Sequence, residues 1–386
     1  MLELEIEAVR LVLSSLRTRY NAFAHINRLP SEILAHMFHF LRDIYKPIPK
    51  DRIGDLSLPS QVIGWVQVTH VCRQWRAVAL EYPTLWSDIT FTLGARWKEE
   101  FFHRSGTTPI VIELSMPVNY RFQKKNLGNF PVDLAHHMSH TRELSFTGII
   151  TDFMPAISLL CRPAPSLEKL FLHNLSTVSS HDYMPFVPLD FLGGYAPRLR
   201  DLNLHRWRMS WPSIAFQSLI NLSITHNCHE NVRNTSELGH LLDSLQKMPS
   251  LQKLTLKYVL SPLPANVTPH SLYGPTVTIP KLRSLRLADK TPECGLLLKH
   301  MAIPVTTECD ISCIWTDRGC EFLLPWLSTR VDMSMPIRTI SIKQRFKDLH
   351  IIASDQSDTN TDKRSSDNAK DVQPAPTIPG RLHFGR

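Results

Sequence analysis

Glycine is scarce in this sequence, with 14 residues among 386, whereas proline, with 28, is more abundant than usual. Phosphate-binding loops of nucleotide-dependent enzymes depend on glycine, so the shortage argues against a dinucleotide-binding or P-loop enzyme. The sequence also has no G-x-S-x-G, HExxH or paired CxxC motif. We therefore expect a protein without catalytic residues, and the sequence indicates no cofactor.

Long apolar runs are missing as well. Nowhere do 18 or more apolar residues follow one another without a charge, so no transmembrane helix is expected. Glu3, Glu5 and Glu7 interrupt the first apolar residues, so no secretory signal is expected either. The seven cysteines are scattered over the chain, which is typical of reduced, mostly buried thiols in a cytoplasmic or nuclear protein.

Metal-binding patterns are weak. Cys309, Cys313 and Cys320 are close in sequence, but their spacings match no zinc template, and we expect core cysteines there. The HHxxH string that begins at His136 lacks the glutamate of a zinc protease motif, and we expect a solvated helix face. No metal site is therefore predicted.

The composition is that of a folded protein. Hydrophobic residues make up 43% and charged residues 20% of the chain, so a packed core is expected. The length predicts two or three domains. The net charge of +8 makes nucleic acid, an anionic membrane or an acidic protein candidate partners. Nearly all of this surplus lies in residues 93–352, which hold 28 basic and 21 acidic side chains.

Residues 1–24 have the pattern of an amphipathic helix, because apolar side chains recur at steps of three and four. About three heptads is barely enough for a coiled coil. We prefer the interpretation that this helix packs onto the next domain of its own chain, with a partner helix or self-association as the alternative. The apolar positions are Leu2, Ile6, Val9, Leu13, Leu16 and Tyr20.

The next segment predicts two more helices. Pro30 suits a first helical turn, and an amphipathic pattern follows over 31–41. Residues 43–60 are polar and rich in proline, which predicts a long loop. A second helical pattern runs over 62–81, and Pro83 ends it.

Three strings in this segment follow a family pattern. LPxEILxxxFxxL begins at Leu29, VCRQWR begins at Val71, and PxLW begins at Pro83. This order resembles the F-box, whose pattern is an LPxE-led helix, a VCxxWR helix and a terminal LW. The link between the first two strings is longer than in a compact F-box, and we interpret residues 43–60 as a loop insertion.

The resemblance implies a partner. F-boxes bind the Skp adaptor of Skp–cullin–F-box ubiquitin ligases and, through it, a cullin scaffold. Three short helices cannot cover all of their apolar surface, so some apolar side chains should contact that adaptor. The predicted adaptor-binding residues are Leu29, Pro30, Ile33, Leu34, Phe38 and Trp75.

The remainder of the chain repeats itself. The pattern L-x2-L-x-[LI] begins at Leu167, Leu199, Leu219, Leu251 and Leu282, and weaker copies lie near positions 112, 144, 309 and 340. The mean step of about 28 residues lies within the 20–29 span of leucine-rich repeats. The pattern resembles the degenerate leucine-rich repeats that often follow an F-box. It implies an irregular solenoid of parallel strands, with outer helices such as 236–248.

The period predicts which side chains face outward. The repeated leucines should point into the core, and the alternate residues should line a concave face, the default ligand surface of a solenoid. The central column is then Phe171, Asn203, Ser223, Thr255, Arg286, Asp310 and Ser341. The flanking residues are Lys169, His173, Asp201, His205, Thr225, Lys253 and Lys257. The predicted target-binding residues are Lys169, Phe171, His173, Asn203, His205, Thr255, Lys257 and Arg286.

The expected fold class is thus a mixed α/β repeat protein. An N-terminal helix (1–24) precedes a small all-helical F-box-like domain (26–90), a leucine-rich-repeat solenoid (93–352) and a tail (353–386). Apolar residues nearly vanish in the tail, so it is expected to be disordered.

The expected function is that of a substrate-recognition subunit of a ubiquitin ligase. Such a subunit is not an enzyme, because it holds the target near a separate conjugating enzyme. The basic surplus favours an acidic or phosphorylated protein target. One alternative is a scaffold that causes no degradation. Another is a basic nucleic-acid-binding repeat protein, whose closest signature is the stretch 198–208 with four arginines and Trp207 near its end.

Overall fold

The structure is a computed structural model in which N-terminal helices lead into a mixed helical and parallel-sheet region. It describes residues 1–48, 63–115, 129–176, 184–214, 216–227, 238–263, 276–314, 320–332, 339–345 and 348–354. The α-helices are α1 (Leu2–Ala22), α2 (Ser31–Ile44), α3 (Arg73–Glu81), α4 (Ala95–Ser105), α5 (Phe130–His137), α6 (Ile150–Ile157), α7 (Leu238–Gln246), α8 (Thr291–Lys299) and α9 (Cys320–Asp332).

The strands are short and follow one another along the chain. They are β1 (Asp88–Ile89), β2 (Ile110–Ser115), β3 (Thr141–Gly148), β4 (Lys169–Asn174), β5 (Asp201–His205), β6 (Asn221–Thr225) and β7 (Lys253–Lys257). They continue with β8 (Val277–Thr278), β9 (Ser284–Lys290), β10 (Met301–Ala302), β11 (Glu308–Ile314), β12 (Thr339–Arg345) and β13 (Asp348–Ser354).

Helix α1 confirms the predicted N-terminal helix but not its preferred packing. None of its residues is buried, so the interpretation that it packs its apolar stripe onto the next domain is wrong. Its side-chain contact with that domain is polar, since the guanidinium of Arg73 donates a hydrogen bond to Ser14 Oγ. The apolar side chains of α1 therefore remain exposed.

The predicted helix over 62–81 is divided in two. A 3₁₀ helix (Gly64–His70) precedes α3, and Cys72 between them is extended, with φ −155° and ψ 172°. Four of the six residues over 66–71 are β-branched, which disfavours a continuous α-helix. Cys72 Sγ then accepts a 3.5 Å hydrogen bond from the Trp75 backbone N–H and caps α3.

A glycine closes the long link between α2 and the 3₁₀ helix. Gly64 adopts a φ of 57°, and the Trp65 N–H donates a 2.7 Å hydrogen bond to the Tyr45 carbonyl. The two ends of the link are thus held together. The predicted loop insertion falls mostly on residues 49–62, which lie outside the described residues.

Eleven of the described strands form one sheet, in the order β1-β2-β3-β4-β5-β6-β7-β9-β11-β13-β12. From β1 to β11 every neighbouring pair is parallel. The last two strands differ, since β13 runs antiparallel to β11 and β12 antiparallel to β13. The prediction that the segment near 340 continues the repeat is therefore corrected, because β12 forms a hairpin with β13 at the sheet edge.

The repeated leucines lie side by side in the sheet. Leu170, Leu202, Leu222, Leu254 and Leu285 are consecutive register partners, and all are buried. A slip of one residue would turn every one of these side chains to the other face, so their burial determines the register. The predicted strands at the five strong patterns are confirmed, and α7 confirms the helix predicted over 236–248 within the described residues.

One hydrophobic core connects the helical and sheet regions, extending from Leu34 in α2 to Trp326 in α9. Cys294, Cys309 and Cys313 are buried free thiols, as predicted, and Cys72 and Cys161 are half-buried. No helix within the described ranges is long and apolar enough to cross a membrane. The predicted tail from 355 onward lies outside the described residues, and the predicted domain boundaries stay predictions.

Candidate adaptor and target interfaces

Helix α2 carries two apolar faces. Leu34, Ala35 and Phe38 form the inner face and are buried in the core. A second set recurs at steps of four, three, one and three residues, so it forms one stripe along the opposite side. This outer stripe of α2 is exposed and consists of Ile33, Met37, Phe40, Leu41 and Ile44.

The inner face is held by residues of the VCRQWR string. The ring centroids of Phe38 and Trp75 are 5.2 Å apart. Trp75 Nε1 donates a 2.7 Å hydrogen bond to Asn27 Oδ1, and Gln74 Nε2 donates one of 2.9 Å to the Asn27 carbonyl. These contacts join the segment before the LPxE string to the start of α3.

The third string fixes the other end of α2. Arg42 Nη1 donates hydrogen bonds to the Thr84 carbonyl at 2.7 Å and to Ser87 Oγ at 3.2 Å. Trp86 is buried, and its Nε1 donates to the Ala79 carbonyl at 2.7 Å. The three strings of the sequence thus meet in one small helical unit, with the outer stripe of α2 left on its surface.

The comparison with protein families agrees with this geometry, since residues 26–92 match the family described as F-box-like. The chain carries an F-box-like domain. The match spans all three strings, including Trp86 and the end of β1. Neither the search of curated proteins nor the search of solved structures found a match to the chain.

The F-box-like domain distributes the predicted adaptor-binding residues over core and surface. Pro30 and Ile33 are exposed, whereas Leu29 and Trp75 are half-buried. Leu34 and Phe38 are fully buried in the chain's own core, where they support α2 from below. Contact of these six residues with an adaptor stays a prediction, and in this conformation it concerns Leu29, Pro30, Ile33 and Trp75.

Four exposed members of the outer stripe are missing from the adaptor-binding set predicted from the sequence. Met37, Phe40, Leu41 and Ile44 follow Ile33 at helical spacing. The sequence does hold a signal for them, because α2 has apolar residues on two sides. A helix that buries only one face needs apolar residues on one side alone. Periodicity alone does not show which of two apolar stripes faces the core.

The second candidate interface is the open face of the sheet, made of the strand residues that alternate with the buried leucines. Its central row has the register order Phe171, Asn203, Ser223, Thr255, Arg286 and Asp310, as predicted. Ser341 is a correction, because Ile352 of β13 lies between Asp310 and Ser341 in this row. Asp310 on β11 is therefore the last residue of this row that lies on a parallel strand.

Charges at the β3–β6 side of the open face are paired with each other. Lys169 Nζ lies 3.3 Å from Glu143 Oε1, and Asn221 Nδ2 donates a hydrogen bond to Asp201 Oδ1. These side chains already have partners on neighbouring strands. They form a polar surface without a strong surplus of either sign.

Charges at the β7–β9 side are different. Lys253, Lys257 and Arg286 are exposed on adjacent strands, with Thr255 between the two lysines. Within the described residues, none of the three makes an ion pair or a side-chain hydrogen bond. The positive charge of the open face is therefore concentrated on β7 and β9.

Three histidines lie near the carboxyl ends of β4–β6. The ring centroids of His173 and His205 are 5.5 Å apart, and His205 Nδ1 is 2.8 Å from Thr225 Oγ1. Burial lowers the pKa of His173. Burial, then the nearby His205 and Arg206, lowers the pKa of His226 to about 4. His173 and His226 are therefore mostly neutral at pH 7 and add little positive charge to the open face.

Residues 198–208, which resemble a nucleic-acid-binding stretch, do not form a surface that combines exposed basic and aromatic side chains. Trp207 is buried, so its ring is not accessible for stacking on a base. Arg206 is buried as well and donates a hydrogen bond to the Ser176 carbonyl. Arg198 and Arg200 remain exposed but have no exposed aromatic neighbour in this stretch.

The histidine string at α5 is partly buried, which corrects the predicted solvated face. His137 stacks on Phe102 with ring centroids 4.6 Å apart, and its Nδ1 is 3.1 Å from His140 Nε2. Burial, then His140 and His136, lowers the pKa of His137 to about 4. Among the residues that the structure describes, no group of three or more His, Cys, Asp or Glu side chains is placed to hold a metal ion.

Proposed function

We propose that this chain is the substrate-recognition subunit of a Skp–cullin–F-box type ubiquitin ligase, located in the cytoplasm or nucleus. The F-box-like domain binds the Skp adaptor and, through it, the cullin scaffold. The repeat region binds the target protein, and ubiquitin transfer is performed by a separate enzyme. The observation that carries this proposal is the two-faced helix α2 inside a matched F-box-like domain.

The outer stripe of α2 supplies the apolar anchors that such an interface needs. Its members include Phe40, 57% exposed, and Ile44, 78% exposed. Contiguous exposed apolar side chains on one helix face are typical of an interaction site, because water contact with them is unfavourable. Pro30 is exposed at the amino-terminal end of the same helix, so the proposed surface continues toward the LPxE string.

Co-purification with a Skp adaptor tests this part of the proposal. The full chain carrying Ile33→Glu and Ile44→Glu should lose at least about tenfold of its adaptor capture, since each charge opposes burial of the stripe. The matched control is Val132→Glu with Leu189→Glu, two exposed apolar residues outside the F-box-like domain. Unchanged capture by the stripe variant, with an unchanged thermal melt, would contradict adaptor binding through α2.

For the remainder we propose an irregular leucine-rich-repeat solenoid whose open face holds the target. Consecutive parallel strands with buried, register-matched leucines support this architecture. The positive charges of Lys253, Lys257 and Arg286, which have no ion-pair partner among the described residues, favour an acidic or phosphorylated segment of the target. The other predicted contact residues, from Lys169 to Thr255, extend the same face toward β4.

Quantitative mass spectrometry of proteins captured from the native cell tests target binding. Lys257→Glu and Arg286→Glu, made singly, should each reduce capture of the main target, while the amount of co-purified Skp adaptor stays constant. Lys247→Glu, an exposed charge reversal after α7, is the matched control. Equal target capture by all three variants would contradict binding at β7 and β9. An unchanged target half-life in cells lacking the protein would contradict the degradative role.

A further inference from the structure

Helix α1 displays a complete heptad stripe that nothing in the described structure covers. Every core position of the heptads is apolar, and each of these side chains is between 47% and 79% exposed. Such a pattern forms a seam that a second helix can fill with interlocking side chains. The a positions are Ile6, Leu13 and Tyr20, and the d positions are Leu2, Val9 and Leu16, with Phe23 continuing the pattern directly after the end of α1.

The F-box-like domain faces a different side of α1. A groove separates the two, and from α1 it is lined mainly by polar side chains. Of the heptad stripe only Leu13 reaches this groove, and its neighbours there are Arg10, Ser14, Arg17 and Asn21. The other members of the heptad stripe therefore lie outside this groove.

The charges beside the stripe indicate which partner fits. Glu3 and Glu5 lie near the amino-terminal end of α1, and Arg17 and Arg19 near its carboxyl-terminal end. Glu3 and Arg17 occupy e positions, whereas Glu5 and Arg19 occupy g positions. Two copies of α1 placed antiparallel therefore bring acidic side chains of one copy to basic side chains of the other, on both sides of the seam.

The antiparallel arrangement also uses every core residue between 2 and 20. When Leu13 lies opposite the partner's Val9, Ile6 meets the partner's Leu16 and Tyr20 meets the partner's Leu2. Glu3 then faces the partner's Arg17, and Glu5 faces the partner's Arg19. One like-charge contact remains, because Arg10 of one copy lies opposite Arg10 of the other near the centre of the pair.

A parallel pair with the same core residues forms fewer contacts between opposite charges than the antiparallel pair. There Glu5 faces the partner's Arg10, but Arg17 and Arg19 face Val12 and Ala24 of the partner. From the stripe and the charges together, we propose that this chain self-associates through α1 as an antiparallel two-helix coiled coil.

Sedimentation velocity of the full chain, over about 1–100 µM, tests the proposal. The wild-type chain should form dimers, and Val9→Glu with Leu16→Glu should weaken dimerisation by roughly 100-fold or more, because each buried apolar side chain contributes about tenfold or more. The matched control is Leu4→Glu with Leu11→Glu, since these exposed residues of α1 lie off the stripe. A monomeric wild-type chain, or equal loss in both variants, would overturn the proposal.

Charge exchange tests the orientation. Glu5→Arg should weaken the dimer by roughly tenfold, because it sets two arginines against each other at each end. Adding Arg19→Glu to the same chain should restore it, since the antiparallel pair is then rebuilt with exchanged signs. In a parallel pair the substituted residue would still face Arg10, so failure of Arg19→Glu to restore dimerisation would overturn the antiparallel arrangement. Because α1 buries no residue, all of these variants should keep the thermal melt of the wild-type chain.

Discussion

Trp75 donates a 2.7 Å hydrogen bond from its indole nitrogen to Asn27 Oδ1, across 48 residues of sequence. Asn27 also donates from Nδ2 to the Asn21 carbonyl at 2.7 Å. One asparagine thus connects α1, the segment before α2 and the start of α3. The F-box-like domain depends on this link because its two main strings are far apart in the chain.

Replacement of Asn27 with alanine should therefore destabilise the folded chain by about 1–2 kcal/mol, since it leaves the Trp75 N–H without its acceptor. Urea unfolding followed by tryptophan fluorescence measures this change. Gln74→Ala is the control, because Gln74 donates to the same residue from an exposed position and should cost about 0.5 kcal/mol or less. Equal costs for the two variants would contradict the role given to Asn27.

Gly64 and Gly239 should respond to alanine in opposite ways. A Cβ on Gly64 would lie 2.6 Å from the Tyr45 carbonyl oxygen, at a φ of 57°. Gly64→Ala should therefore cost about 2 kcal/mol or more. Gly239, in α7, has no described atom within 4 Å of such a Cβ. Gly239→Ala should raise stability by about 0.5–1 kcal/mol in the same unfolding assay, and a loss there would contradict the helical environment.

Lys98 and Asp133 form an ion pair that joins α4 to α5. The Lys98 side chain is 1% exposed, and its Nζ lies 2.5 Å from Asp133 Oδ2. Asp133→Ala should cost about 3 kcal/mol in chemical unfolding, because it removes a carboxylate that the buried ammonium of Lys98 contacts. Lys98→Met combined with Asp133→Leu should recover most of that loss, since both charges of the pair are then removed. A double variant as unstable as Asp133→Ala would contradict this account.

His226 should make stability depend on pH between about 6.5 and 4. Burial lowers its pKa from 6.5 to about 4, so the unfolded chain binds a proton at a pH where the folded chain does not. The contribution to stability is present above pH 6.5 and is lost as the pH falls, by up to about 3 kcal/mol.

His226→Leu should flatten this part of the pH–stability curve. Within the described residues neither ring nitrogen of His226 has a hydrogen-bond partner, so the variant should keep or gain stability at pH 7. Thermal melts between pH 4 and pH 7 provide the comparison. A slope equal to that of the wild-type chain would contradict the assignment.

The sequence predicted much of this architecture because its patterns are local. The leucines at 202, 222, 254 and 285 each have a polar residue on both sides, and Leu170 lies between Lys169 and Phe171. This period of two predicts a half-buried strand whichever segment it pairs with. The order of the three F-box-like strings was also readable, since it depends on residue identity and spacing. The exposed stripe of α2 could be predicted only in part from the sequence. Ile33 and Leu34 are adjacent and equally apolar, so the pattern does not show which of them is buried.

By itself, then, the sequence determined the F-box-like domain, the strand positions and the row of side chains from Phe171 to Asp310. Only the tertiary structure decided which stripe of α2 is buried, that β13 lies antiparallel between β11 and β12, and that the described residues leave the heptads of α1 uncovered. Each of these depends on a contact between segments distant in the chain. Hydrophobic periodicity predicts that the apolar face of a helix or strand is buried. Which residues bury it depends on packing between segments in three dimensions.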